Sequence, residues 1–152
     1  MCAMKIWDIG LAQRKPGYTP KSGVVFIAGL AATLASSDPT GQTLSIAAGG
    51  SCIGLVQENT TAPTCSLLTN FGYDQYTRGG LVSYVCGSGV EVELWNDGAG
   101  NVFDTYSTFT IDAPVYSTVN GLISPVVLGN IIGRVTKVPT SPTDSLKIQL
   151  SI

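Results

Sequence analysis

The stretch Leu81–Phe103 constrains the fold most. It reads Leu-Val-Ser-Tyr-Val-Cys, then Gly87-Ser88-Gly89, then Val-Glu-Val-Glu-Leu-Trp, then Asn96-Asp97-Gly98. Val90, Val92 and Leu94 alternate with Glu91, Glu93 and Trp95, and side chains two apart share one face of a strand. One face is apolar and the other carries two carboxylates and an indole, which predicts an antiparallel sheet with one wet face. Gly87-Ser88-Gly89 predicts a tight hairpin between two paired strands, and Asn96-Asp97-Gly98 the next turn.

The same grammar recurs along the chain. Val24–Ile27 favours a strand, while the Ala-rich Gly29–Ala35 could pass for a short helix. Asp38-Pro39-Thr40-Gly41 fits a type I turn. Strands are predicted at Thr43–Ala47, Cys52–Gln57, Val115–Val119, Leu122–Ser124, Ile131–Val138 and Leu146–Ile152, with Asn120-Gly121 turning a second hairpin. The reading is all-β: a small antiparallel β-barrel or sandwich over residues 22–152, preceded by an extended N-terminal arm over residues 1–21. An internal echo runs through it. Cys52-Ile53-Gly54-Leu55-Val56 parallels Ile131-Ile132-Gly133-Arg134-Val135, and Val25-Phe26 and Val115-Tyr116 hold the corresponding earlier places. A glycine inside each apolar strand predicts a bulge or a close backbone approach.

The arm stands apart in composition. Residues 1–22 hold Lys5, Arg14, Lys15 and Lys21 against the single acid Asp8, and Pro16, Gly17 and Pro20 exclude a helix. Ile6, Trp7, Ile9, Leu11 and Tyr18 are apolar enough that burying each is worth about 1.5–3 kcal/mol. This favours docking on a neighbour over a frayed terminus. Residues 58–80 are loop-rich, and Phe71, Tyr73, Tyr76 and Arg78 cluster there. That cluster is either a loop packed by its own aromatics or, with Trp95, an interface patch, since Tyr, Trp and Arg are enriched at hot spots.

Chemistry is hard to find. There is no histidine, which removes Ser-His-Asp and Cys-His mechanisms and the commonest metal ligand. Glu91 and Glu93 stand roughly 7 Å apart along a strand, a glycosidase-like separation that any alternating surface strand also produces. Asn96–Asn101 with Asp104 lacks the alternating acids and closing Glu of a calcium loop. Cys2, Cys52, Cys65 and Cys86 form no CxxC pair, and a zinc site would need all four. They are read as free thiols of a protein assembled in a reducing cytoplasm, with one disulfide as the alternative. The reading is therefore not an enzyme, with no catalytic residue, no cofactor and no metal.

Only 12% of residues are charged and the net charge is −2, without the basic face that nucleic acid requires. The longest apolar run, Val24–Ala35, is too short and Gly-interrupted for a membrane helix, so neither nucleic acid nor membrane is an expected partner. The N-terminus has no apolar core of a signal peptide, which predicts that the chain is not exported through a cleaved leader.

The order of pieces resembles a known family. Gly-Val-Val-Phe is followed by Ile-Gly-Leu-Val, Val-Glu-Val-Glu-Leu and Asp-Ala-Pro-Val-Tyr-Ser-Thr-Val-Asn-Gly-Leu. Ile-Ile-Gly-Arg-Val-Thr-Lys-Val-Pro and Leu-Lys-Ile-Gln-Leu close the series. This resembles the head decoration, or cement, proteins of tailed bacteriophages, most closely at Asp112–Leu122 and Ile131–Ile152. The resemblance implies a virion structural protein that binds the major capsid protein on the outside of a phage head and stabilises the shell by adhesion. It also implies a homotrimer on the capsid exterior, assembled in the bacterial host cytoplasm. Within that picture Lys5, Ile6, Trp7, Ile9, Leu11, Arg14, Lys15 and Tyr18 would be the contacts of the arm. The alternatives are another virion β-module, of tail or baseplate, and a small carbohydrate- or ligand-binding β-domain.

Overall fold

The structure is a computed structural model that describes residues 4–7, 11–57, 59–60, 81–96 and 100–152. Eleven strands are described: β1 (Met4–Ile6), β2 (Gln13–Pro20), β3 (Ala31–Leu34), β4 (Thr43–Ile46), β5 (Gly54–Val56), β6 (Val82–Cys86), β7 (Glu91–Leu94), β8 (Pro114–Ser117), β9 (Ile123–Ser124), β10 (Gly133–Lys137) and β11 (Leu146–Leu150). They form a closed barrel in the order β2-β4-β3-β5-β6 and a six-stranded sheet in the order β1-β7-β11-β10-β8-β9. All named pairings are antiparallel except the contact of β2 with β4, where Thr19 faces Thr43 and Pro20 faces Leu44. The all-β reading holds. Among the described residues no helix is long and apolar enough to cross a membrane.

The predicted alternation is realised: Val90, Val92 and Leu94 are fully buried, as are Leu146 and Ile148 of β11. Three expectations are corrected. Gly87-Ser88-Gly89 does not close a hairpin, because β6 belongs to the barrel and β7 to the sheet; the turn carries the chain between them. Val24–Ile27 is not a strand but a connection with Phe26 sunk into the barrel, and the Ala-rich segment forms β3 instead. Glu93 is not on a wet face: it is 8% exposed, covered by Trp7 and Ser145.

The echo is one part of a whole-unit repetition. Strands β3–β6 lie in the order β4-β3-β5-β6, and β8–β11 in the order β9-β8-β10-β11. β2 flanks β6 just as β7 flanks β11, both antiparallel. The parallel bridge Phe103↔Ile123 stands where Pro20 meets Leu44. Hydrogen bonds repeat as well. The amides of Gly29, Leu30, Ala35, Ile53 and Val56 donate to Val56, Ile27, Thr43, Ala32 and Leu30. In the second unit those of Asp112, Ala113, Thr118, Ile132 and Val135 donate to Val135, Thr110, Leu122, Val115 and Ala113. Asp112, at φ +62, occupies the place of Gly29 at φ +105 and is the one non-glycine at positive φ among the described residues. Val115-Tyr116 therefore answers Ala32-Thr33, and Val25-Phe26 answers Thr108-Phe109, which corrects the outer part of the echo.

The cores repeat too. The barrel interior is Phe26, Ala32, Leu44, Val56 and Val82. Its counterparts Phe109, Val115, Ile123, Val135 and Leu146 are all buried within the larger core that joins the two units. Gly54 and Gly133 hold equivalent places and share one reason. A Cβ on Gly54 would run into the Tyr84 ring and stand 2.7 Å from the Val85 carbonyl oxygen, and one on Gly133 would collide with the Gln149 carbonyl. Gly54→Ala and Gly133→Ala should each destabilise the protein by about 1–3 kcal/mol. Gly50→Ala, which meets nothing within 4 Å, should stay within about 0.5 kcal/mol; urea denaturation of the three variants checks this.

Candidate functional site

The N-terminal segment is extended, but its first described part is used inside the chain. β1 adds to the edge of β7 in the register Met4↔Leu94, Lys5↔Glu93, Ile6↔Val92, which buries Met4 and Ile6 in the shared core. Trp7 then crosses the sheet. Its Nε1 donates to Glu93 Oε2 at 2.9 Å, while Lys5 Nζ and Lys147 Nζ stand 3.5 and 4.4 Å from the ring centroid. Two cations over one indole and a hydrogen-bonded carboxylate beside it fix the side chain in place. Lys5, Ile6 and Trp7, expected as contacts to a neighbour, thus make these contacts within the chain, because the β7 edge lies within reach and offers an apolar slot.

β2 behaves differently. Gln13, Arg14 and Lys15 pair with Cys86, Val85 and Tyr84; the register then slips at Pro16-Gly17, and Tyr18 meets Val82. A strand in a sheet normally buries alternate side chains, yet Gln13–Gly17 are exposed at every position. Leu11, just before them, is 59% exposed. Arg14 Nε donates to Oε1 of the buried Gln57, which holds the guanidinium against the barrel wall. Tyr18 packs on Tyr84 with ring centroids 5.3 Å apart. Burial first, and then the Tyr18 hydrogen bond, push the Tyr84 phenol up to about 12. This gives a basic, solvent-facing strip with a firm backbone.

The remaining expected residues divide simply. Ile9, Phe71, Tyr73, Tyr76 and Arg78 lie outside the described residues, and Trp95 is half-buried at the end of β7. Glu91 accepts from Thr136 Oγ1 at 3.0 Å and faces Lys147 Nζ at 3.8 Å, so both glutamates of β7 are engaged structurally. Asn96 accepts the amides of Val102 and Phe103 and donates to the Phe103 carbonyl, pinning its loop. Cys52 and Cys86 are free thiols, and burial pushes the Cys52 thiol up to about 11. Among the described residues no three metal-ligating side chains come together.

One surface was not anticipated. Val126, Val127 and Leu128 stand 66%, 74% and 40% exposed in the loop between β9 and β10. The loop is fixed at both ends: Ser124 Oγ accepts the Val126 amide and donates to Asp104, while Asn130 accepts the Cys52 amide and donates to the Cys52 carbonyl. The readable signal was an apolar triplet bracketed by Pro125 and Gly129 between two strands. Comparison of the chain with protein-family models, curated proteins and solved structures gives no match.

Two carboxylates staple turns. Asp144 accepts from Lys137 Nζ first of all, and from Thr140 and Ser145, which holds it well below the usual carboxylate range. The Thr40 and Thr43 hydroxyls, with the amides of Thr40 and Gln42, lower Asp38 to about 2. Both folded values lie below the unfolded one, so their contribution is complete above about pH 4 and is lost as pH falls through the folded values. The urea midpoint of the wild type should fall between about pH 4 and pH 2, and Asp144→Asn, already lower at neutral pH, should fall less over that range.

Proposed function

We propose that the chain is a virion structural protein of a tailed bacteriophage, a decoration protein that binds the outer surface of the capsid and stabilises the shell. It acts by adhesion and not by catalysis, as a homotrimer with the major capsid protein as its partner. The observation that carries this reading is the run from Gln13 to Gly17, which is hydrogen-bonded into the barrel through β2 and still exposed on both faces, with Leu11 exposed beside it and Ala12 between them resting on the core. An ordered run whose side chains are all exposed is suited to lie against another surface. Leu11 and Lys15 would make that contact, with Arg14 and Tyr18 held beside them.

The thermodynamics require nothing more. A protein that binds the assembled shell and not its dissociated parts stabilises the shell by about 2.7 kcal/mol per site at a hundredfold excess over the dissociation constant. Co-sedimentation with empty heads of the phage that carries it is the test. The wild type should pellet with the heads and raise their melting temperature. The double variant Leu11→Ser/Lys15→Glu should bind at least about tenfold more weakly, a loss of about 1.4 kcal/mol. Wild-type protein that leaves the heads untouched overturns the reading, and undiminished binding by the double variant removes the strip from it.

A further inference from the structure

The turn between β8 and β9 carries a chemistry that neither the fold nor shell binding uses. Asn120 precedes Gly121, and no other asparagine of the chain is followed by glycine. Without a Cβ, a glycine amide is the least hindered backbone nucleophile, so in an open chain the Gly121 nitrogen can attack Asn120 Cγ. The N–Cγ bond forms, the Cγ–Nδ2 bond breaks, and the proton of the attacking amide leaves with Nδ2 as ammonia. Water then opens the cyclic imide at one of its two carbonyls. Attack at Cγ gives aspartate. Attack at the main-chain carbonyl gives isoaspartate, in which the chain runs through Cβ and Cγ and is longer by a carbon.

The structure holds this pair away from that reaction. Asn120 is exposed, but Gly121 is buried. The Gly121 amide donates to the Thr118 carbonyl at 3.0 Å, and its carbonyl accepts the Ala31 amide at 2.9 Å. Thr118 Oγ1 accepts the amides of Asn120 and Leu122 at 3.3 and 3.1 Å, which fixes the turn on both sides of the pair. A Cβ on Gly121 would stand 2.7 Å from Ile46 Cγ2 and 3.1 Å from the Ala31 carbonyl oxygen. Ala31 and Ile46 belong to the first unit, so Gly121 of the second is a plug in the seam between them. To reach Asn120 Cγ its nitrogen must turn away from Thr118, which carries the Gly121 carbonyl away from Ala31.

We propose that Asn120-Gly121 is a latent deamidation site, closed by the seam between the two units, so that the reaction marks chains whose seam has opened. Ring closure waits on local opening, and its rate in the folded protein is set by how often Gly121 leaves its place. The isoaspartate product cannot return to that place. Its extra backbone carbon moves the Gly121 carbonyl from the Ala31 amide, at a position where even a methyl group has no room. A transient opening thereby becomes a permanent one, as happens when chemistry on an open state outruns reclosing. The aspartate product keeps the backbone length and places its new charge at an exposed position, so it closes again.

This inference goes beyond shell binding and does not depend on it. The full chain, aged at mildly alkaline pH both folded and in guanidinium chloride, tests it, with deamidation at Asn120 followed by peptide mass spectrometry. The unfolded chain should react at least about tenfold faster than the folded one. Thr118→Val, which deletes both bonds to Oγ1, should speed the folded-state reaction at least about threefold and leave the unfolded rate unchanged. Thr118→Ser keeps the hydroxyl and should match wild type. Chains with isoaspartate at position 120, separated after ageing in denaturant, should refold with a lowered urea midpoint, whereas Asn120→Asp should keep that of wild type. Equal folded and unfolded rates overturn the proposal, and so does recovery of the wild-type midpoint by the isoaspartate chains. A folded Thr118→Val that reacts no faster than wild type overturns it as well. If Thr118→Val does not fold, the wild-type rates and the isoaspartate midpoint decide alone.

Discussion

The architecture depends on a sheet wall that is buried on both of its faces. In β3, β5 and β6 the side chains of Ala32, Val56 and Val82 point into the barrel with Phe26 and Leu44. Ala31, Leu55 and Val85 point the other way, into the core shared with Val92 and Leu94. Such a wall cannot alternate apolar with polar; it must be apolar throughout and thin enough to be packed from two sides. Alanine and glycine supply the thinness: Gly54 lets β5 approach the Val85 carbonyl where a methyl group would collide. The second unit uses the same strand order with one face wet. There Val135 and Ile148 are buried while Arg134 and Gln149 face solvent.

That difference explains what could be read from the sequence. β7, β10 and β11 each have one wet or partly wet face, so their alternation was visible, and the Asn120-Gly121 turn located β8 and β9. β3 passed for a short helix because its leading Ala31 and Ala32, both buried, carry neither a period of two nor a strand-like composition. The partnering of β6 and β7 was also beyond local pattern. Gly87–Gly89 dictates that the chain reverses, but the edges available to β7 were β11 and β1, whose residues lie far away in sequence. Glu93 shows the same limit: its cover comes from Trp7, 86 positions distant, and from Ser145. For the candidate site, composition marked residues 1–21 as unusual. It did not separate Ile6, which fills a slot in the core, from Lys15, which faces water.

The repetition within the chain offers a comparison between two sequences that fold alike. Asp112 takes a left-handed backbone position that the first unit gives to Gly29, and Arg134 Nη1 donates to the Asp112 carbonyl at 2.8 Å, so a contact outside the turn helps to hold the less favourable residue there. Leu55 and Val85 become Arg134 and Gln149 where the wall meets water. Each exchange has a local physical cause, and each is what solvent exposure demands.

The first strands of the two units break that agreement. β7 is the counterpart of the opening half of β2, because Val92 faces Ile148 as Lys15 faces the equivalent Tyr84. Val92 is wholly buried beneath β1 and the shared core, while Lys15 and the residues around it stand in solvent on both sides of the strand. Folding alone would be served by an apolar residue at that place or by a shorter strand. Instead the chain keeps Gln13, Arg14 and Lys15 in register with β6 and Pro16-Gly17 in the slip that follows, all exposed, at the conformational cost of ordering them, about 1–2 kcal/mol per residue for the backbone. Within the chain the return is the ladder to β6, the Arg14–Gln57 hydrogen bond and the closing of the barrel, with none of the five side chains buried.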